Sequence, residues 1–400
     1  MAGALEGIRI VDLSTVVLGP WASQMLGDMG ADVIKIETPA GDLTRHIGPG
    51  RNPEMASLYM ATNRNKRSLV LDLTKQQGRD ALFRVVETAD VFLHNMRPKV
   101  ARKFGMDREK FTDAFPSLIF VAAYGFRGEG PLADNPAYDD IIQAASGLSD
   151  LQSVASPGGE PRFVPTIMAD KTTSFQVVSS ILAALFHRQR SGEGQAIEVP
   201  MFESLVDFIM VEHLAGAGFE PSIANMGYSR LLNKMRKPYA TLDGHLAVLP
   251  YTDDNWKKLI EISGRQDLND DPRFADLATR MKHSEEIYQI LNDIIATRTT
   301  AEWQRDLAAA NVPVQKVNRK EDLLNDEQLL ASGFWKFIDH PTEGLLRMTD
   351  PPARFTRTPS TIRTPPPLLG QQSKEILTEA GYSDDQIADF LQKGVTKCPG

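Results

Sequence analysis

The sequence predicts an α/β protein with a large, Rossmann-like, doubly wound parallel sheet and a smaller α+β domain. Three observations carry this. Short β-branched runs alternate with helix-forming segments through the first 125 residues. The first two strand starts, Ile8 and Val33, lie 25 residues apart, room for a helix crossover and therefore for a parallel pair with a right-handed connection. Near residue 226 the alternation gives way to a hairpin signal and separate helical segments.

The elements follow in order. Residues 8–12 form a strand, residues 14–20 a loop, and residues 21–29 a helix that stops at Gly30. Strands are expected at 33–36, 68–73, 91–93 and 118–123, with a helix at 76–87. Helical spacing covers 138–147 and 172–189, where Phe175, Val178, Leu182 and Leu185 share a face, and a strand resumes at 196–199. A helical stretch runs over 202–216. Residues 239–249 read as a hairpin about Asp243-Gly244, a two-residue turn. Helices near 256–262, 284–295 and 301–309 and a strand at 312–317 complete the smaller domain. Prolines at 351, 352, 359, 365, 366 and 367 make 351–369 an extended tether, followed by short helices at 374–379 and 384–392. The expected division is a large domain over 1–200, a linker helix over 201–225, a small domain over 226–325, and a return segment with the rest of the large domain over 326–400.

Composition narrows the function. The 400 residues carry a net charge of −8, so the basic footprint of a nucleic-acid binder is absent. An anionic ligand needs a local cationic or amide site working against that field. One cysteine, Cys398, allows no intramolecular disulfide and no cysteine-rich zinc site, which fits a reducing cytoplasm. Neither a secretory leader nor a membrane-spanning run is evident.

The candidate chemistry sits at the carboxyl ends of the strands. The loop after the first strand holds Gly19 but no G-x-G-x-x-G, and no phosphate-binding G-x-x-x-x-G-K-[ST] occurs, so dinucleotide and ATP sites are disfavoured. Glu37 reads as a solvated strand end. None of the seven histidines pairs at metal-ligand spacing, and no metal site is expected. The nucleophile question falls on carboxylates. Asp170, ahead of the 172–189 helix, is either a plain N-cap or a nucleophile whose charge a helix N-terminus stabilises. Tyr138-Asp139-Asp140 reads as a solvated helix start or a second acidic site.

The sequence resembles the class III (CaiB/BaiF) CoA-transferases, relatives of formyl-CoA transferase and carnitine CoA-transferase, over nearly its whole length. The likeness lies in Gly7-Ile8-Arg9-Ile10-Val11-Asp12-Leu13, Gly19-Pro20, the run from Leu26 to Glu37, Gly41-Asp42 and Asn65-Lys66-Arg67-Ser68. It continues in Asp90-Val91 with Asn95, Tyr124-Gly125-Phe126-Arg127-Gly128, Pro136-Ala137-Tyr138-Asp139, Gly192-Glu193-Gly194-Gln195 and Leu368-Leu369-Gly370-Gln371. The resemblance implies a transfer of coenzyme A from an acyl-CoA to a carboxylic acid through a mixed anhydride and an aspartyl-CoA thioester on Asp170. Coenzyme A is then a substrate, and no tightly bound cofactor is expected. The resemblance also implies that Thr15, Val16 and Val17 line the thiol arm. Leu71, Asn95, Met96 and Lys103 contact pantetheine and nucleotide, and Tyr138 and Met201 complete the pocket.

Several positions depart from the family pattern. The Gln that follows Val16 in formyl-CoA transferase is Val17 here, a basic residue after Glu37 is Thr38, and a Lys is Thr74 with Lys75 beside it. Phosphate contacts then shift to Lys75, Arg102 or Arg45. No glycine-rich lid lies between Gly227 and Tyr239, which argues against formyl or oxalyl substrates. Arg45, His46, Arg51 and Arg64 are candidates for a second carboxylate of a dicarboxylate acceptor such as succinate. The same fold hosts α-methylacyl-CoA racemases, but their catalytic histidine falls at Tyr138 here. A non-catalytic CoA-binding protein is a third reading, against which the retained Asp170 argues. The family is also expected to form interlocked homodimers.

Overall fold

The computed structural model describes residues 2–154 and 157–399. The chain separates into two compact units, one of Met1–Leu148, Phe163–Phe208 and Leu330–Gly400, the other of Ser149–Arg162 and Ile209–Leu329.

The first unit opens with β1 (Arg9–Asp12), α1 (Leu18–Asp28), β2 (Asp32–Glu37), α2 (Ser57–Thr62), β3 (Lys66–Val70) and α3 (Gln76–Val86). It continues through β4 (Val91–His94), α4 (Pro98–Lys103), α5 (Arg108–Ala114), β5 (Ile119–Tyr124) and α6 (Asp139–Ala145), after which α7 (Leu148–Ser153) lies in the second unit but for Leu148. Then come α8 (Met168–Ser191), β6 (Gln195–Pro200) and the first part of α9 (Met201–His213), which passes into the second unit at Ile209. The six strands form one parallel sheet in the order β3-β2-β1-β4-β5-β6. The strand order reverses between β1 and β4, which is where a doubly wound sheet opens a crevice.

The second unit holds β7 (Tyr239–Ala240), β8 (His245–Val248), α10 (Asp253–Ser263), α11 (Leu277–Lys282), α12 (Ser284–Ile295), α13 (Thr300–Ala309), β9 (Val314–Lys316) and most of α14 (Glu327–Ala331). Its antiparallel strands pack with α10, α12 and α13 around fully buried Trp303, whose indole N–H donates to Ile295 O. The β7–β8 turn is closed by Thr241 N–H donating to Gly244 O at 3.0 Å, so its two central residues are Leu242-Asp243, one position before the expected Asp243-Gly244. The Asp243 carboxylate accepts the Thr300 N–H at the start of α13 and so ties the turn to that helix.

The chain then returns to the first unit with the hairpin β10 (Trp335–His340) and β11 (Gly344–Thr349), and with α15 (Ser373–Glu379) and α16 (Asp384–Gln392). One face of the parallel sheet is sealed jointly by both ends of the chain. Val11, Ile34, Leu69 and Phe92 pack with Leu82 of α3, Ile376 and Leu377 of α15 and Phe390 of α16. Burying each such side chain contributes roughly 1.5–3 kcal/mol. The proline-rich segment is extended but not a loose tether. Asn65 Oδ1 accepts the N–H groups of Arg363 and Thr364, and Gly370 N–H donates to Ser68 Oγ.

Candidate active site

The crevice at the β1/β4 divergence is a cleft of about 640 Å3 within the first unit. Its walls are the loop after β1, the loop after β2, the turn after β4, the end of β5 and the start of α8. Thr15, Val16, Asn95, Met96, Tyr138, Asp170 and Met201, all expected site residues, line it together.

Asp170 lies in the first turn of α8, which starts at Met168, four residues before the sequence suggests. It is therefore not an N-cap. The cap comes from a distance: Asp139 in the first turn of α6 accepts the Ala169 N–H at 2.6 Å and the Asp170 N–H at 3.1 Å. Gln143 steadies the other Asp139 oxygen at 2.6 Å. Asp139 is thus no solvated helix start. The Asp170 side chain is 8% exposed, and its Oδ1 accepts the Leu18 N–H at 3.1 Å, at the N-terminus of α1. No cation pairs with it among the described residues. Burial, reinforced by the Asp139 charge and opposed by the Leu18 N–H, pushes its carboxyl up to about 6.

The loop opposite is pinned one amide at a time. Asp12 accepts the Ser14 N–H at 2.9 Å, Asn95 the Thr15 N–H at 3.0 Å, Asp42 the Val16 N–H at 3.3 Å, and Asp170 the Leu18 N–H. Among the described residues no acceptor meets the Val17 N–H. Val16 is held at φ 72°, a left-handed conformation that a β-branched residue rarely adopts. Gly19 permits the tight approach of this loop, since a Cβ there would lie 2.1 Å from Ser14 Oγ.

Beneath the loop lies a fully enclosed ionic layer. Lys35 Nζ bonds Asp42 at 2.8 Å, and Lys66 Nζ reaches Asp12 at 3.2 Å. Burial pushes the Asp12 carboxyl up, but Lys66, Lys35 and the hydroxyls of Ser14 and Ser23 outweigh it and hold it below the ordinary value. Glu37, expected as a solvated strand end, is buried here. It takes a two-pronged bond from Arg45 at 2.7 Å and accepts Ser68 Oγ. That pairing removes Arg45 from the acceptor candidates. Arg64 is likewise buried against Asp28 at 2.7 Å, and Arg51 donates to Glu343 O. His46 is exposed and does not line the cleft.

Other expected contacts fall outside the cleft. Val17 and Leu71 are buried at 3% and 0% exposure and belong to the core. Lys75 Nζ is engaged with the carbonyls of Lys393 and Gly394. Arg102 and Lys103 line an adjoining groove that shares Thr74 and Phe104 with the cleft. Arg79 and Lys110 also line that groove. Sequence reading missed both, because helix-surface cations carry no local signal of convergence. Arg97 is the one cationic residue among those lining the cleft itself.

A family model described as CoA-transferase family III matches residues 5–373. The chain is 36% identical over 392 residues to a succinate–glutarate CoA-transferase of Agrobacterium fabrum, covering 94% of this chain and 95% of that one. It is 31% identical to a succinyl-CoA:mesaconate CoA-transferase of Haloarcula hispanica, covering 95% and 97%. A solved CaiB/BaiF family protein from Brucella suis superposes with a TM-score of 0.81 at 29% identity, over 95% of this chain and all of that one. With a cleft at the sheet's switch point and a buried carboxylate facing it, these matches place the chain in CoA-transferase family III.

Proposed function

We propose that Asp170 is the nucleophile of an acyl-CoA:carboxylate CoA-transferase. The observation that carries this reading is a carboxylate shut away from water, free of any cationic partner and held by one backbone N–H at the edge of a long cleft. Asp170 attacks the thioester carbonyl, and the tetrahedral intermediate expels CoA thiolate to leave a mixed anhydride. The thiolate then attacks the Asp170 acyl carbon and releases the donor acid, giving an aspartyl-CoA thioester. An acceptor carboxylate attacks that thioester and frees the thiolate again. The thiolate takes the acceptor's acyl group, and Asp170 is restored. One thioester replaces another, so no ATP is needed. The oxyanion of each tetrahedral intermediate needs a hydrogen-bond donor, and the backbone amides at the N-terminus of α1, where Leu18 N–H already meets Asp170, are the nearest such groups. A dry wall protects the anhydride from hydrolysis.

In this reading the pantetheine arm lies along Thr15 and Met96, and the nucleotide phosphates meet Arg79, Arg102, Lys103 and Lys110 in the adjoining groove. The acceptor is a short dicarboxylate, in keeping with the succinate, glutarate and mesaconate in the relatives' names. The assembly is an interlocked homodimer. Its support here is exposed apolar side chains, Phe175 and Phe186 in the first unit and Val211, Phe219 and Ile223 in the second. Sedimentation at low micromolar concentration showing a stable monomer would remove the dimer.

The central test is to incubate enzyme with acyl-CoA, quench with hydroxylamine and locate the adduct by mass spectrometry. A hydroxamate on Asp170 is expected. Deuterium wash-in at the α-carbon with no adduct would instead support racemase chemistry. A panel of acids against several acyl-CoA donors identifies the acceptor.

A further inference from the structure

Asn95 stands at the divergence of the two central strands. The β1–β4 ladder ends with the Leu13 N–H donating to Leu93 O at 2.8 Å. Beyond it the backbones part to form the cleft. The Asn95 carboxamide then takes the place of the next peptide. Its Oδ1 accepts the Thr15 N–H at 3.0 Å, and its Nδ2 donates to Thr15 O at 2.7 Å. Both polar ends of the side chain are thereby occupied by the loop that faces Asp170. The turn that aims Asn95 is itself held by a side chain. His94 Nδ1 accepts the Met96 N–H at 3.2 Å. That ring is buried, packed beside Phe92 and Phe120, and does not line the cleft.

We propose that Asn95, aimed by His94, is a positioning residue for the transfer reaction, acting by clamping Thr15 rather than by binding coenzyme A. Thr15 is followed at once by the left-handed Val16, whose N–H is fixed from the other side by Asp42. The two clamps together set where the Val17 and Leu18 amides stand relative to the Asp170 carboxylate. A shift of about 1 Å in such a group can lower a rate about 100-fold. The inference rests on the reading of Asp170 as nucleophile.

The test uses Asn95→Ala, Asn95→Asp and His94→Phe in the full-length enzyme, with thermal melting as the control for folding. Asn95→Ala is expected to lower kcat roughly 10- to 100-fold while the Kd for acyl-CoA stays within about twofold. Asn95→Asp keeps an acceptor for the Thr15 N–H but loses the donor to Thr15 O, so its kcat falls as well. His94→Phe removes the acceptor for the Met96 N–H without touching the cleft, and its kcat should fall in the same direction, by less. A tenfold rise in Kd for acyl-CoA with kcat unchanged in Asn95→Ala would make Asn95 a ligand contact and overturn the proposal. Wild-type kcat in a folded His94→Phe protein would overturn the part assigned to the turn. Failure of the nucleophile reading shows up separately, as an unmodified wild-type Asp170 after hydroxylamine trapping.

Discussion

Asp12 and Asp170 are both withdrawn from solvent, at 0% and 8% exposure, and their electrostatic surroundings are opposite. Asp12 sits in the ionic layer under the loop, within reach of Lys66 and with Lys35 close by, and two hydroxyls donate to it. Its charge is fully compensated, so it has no free lone pair with which to react. Asp170 faces the cleft with one amide donor and a second carboxylate, Asp139, nearby. Burial alone therefore does not make a carboxylate reactive. The nucleophile reading of Asp170 adds the withheld cation, because a desolvated and uncompensated anion gains by sharing its charge with an electrophile.

Substitutions at the two carboxylates should separate these roles, and the largest effect belongs to the cleft. Asp170→Ala should reduce transfer by at least about 10⁴-fold with the fold intact. Residual transfer at wild-type rate would end the comparison at once. At the ionic layer, Asp12→Asn leaves Lys66 and Lys35 buried with too little negative charge, which should lower stability by roughly 3–5 kcal/mol. Chemical denaturation reads this out, and the folded fraction should keep the aspartyl adduct.

Asp170→Asn should do the reverse. The folded carboxyl is raised from 3.8 to about 6, so the fold favours the protonated form. Stability linked to this group is full below about pH 4 and is lost as pH rises through about 6. Removing the charge should therefore stabilise the protein by up to about 3 kcal/mol at pH 8 and by almost nothing at pH 4. A destabilised Asp170→Asn at pH 8 would contradict the idea of an uncompensated anion. The smallest effect is on the pH profile. Wild-type kcat/KM should fall as pH drops below about 6, as Asp170 takes up a proton. Asp139→Asn keeps an acceptor for the α8 amides but removes the like charge, and should move that acid limb down by ~0.5–1 pH unit. A limb that stays in place would exclude Asp139 from the electrostatics of the site.

The parallel sheet was legible because its strands are short β-branched runs spaced for crossovers. The hairpin β10–β11 was not, because both its faces are largely exposed and its residues show no clean alternation. Asp170 could be singled out, but its position inside the helix could not, since the cap that lets α8 start early is Asp139, about 30 residues away. Glu37 and Arg45 were misread for a related reason. Each looks like a surface charge alone, and only the fold brings the guanidinium onto the carboxylate. Local sequence shows which residue types are present, but not which distant partner neutralises them.

The extended return segment has a consequence for biosynthesis. Asn65 and Ser68 bond to residues 361–372, and α15 and α16 supply one wall of the core beside β1–β4. The amino-terminal strands leave the ribosome some 300 residues before the helices that cover them. During that interval the nascent sheet exposes an apolar face, and contacts this remote in sequence form slowly. The sheet can close this face only once residues 373–392 have been made, so the order of synthesis leaves the amino-terminal half waiting for its cover.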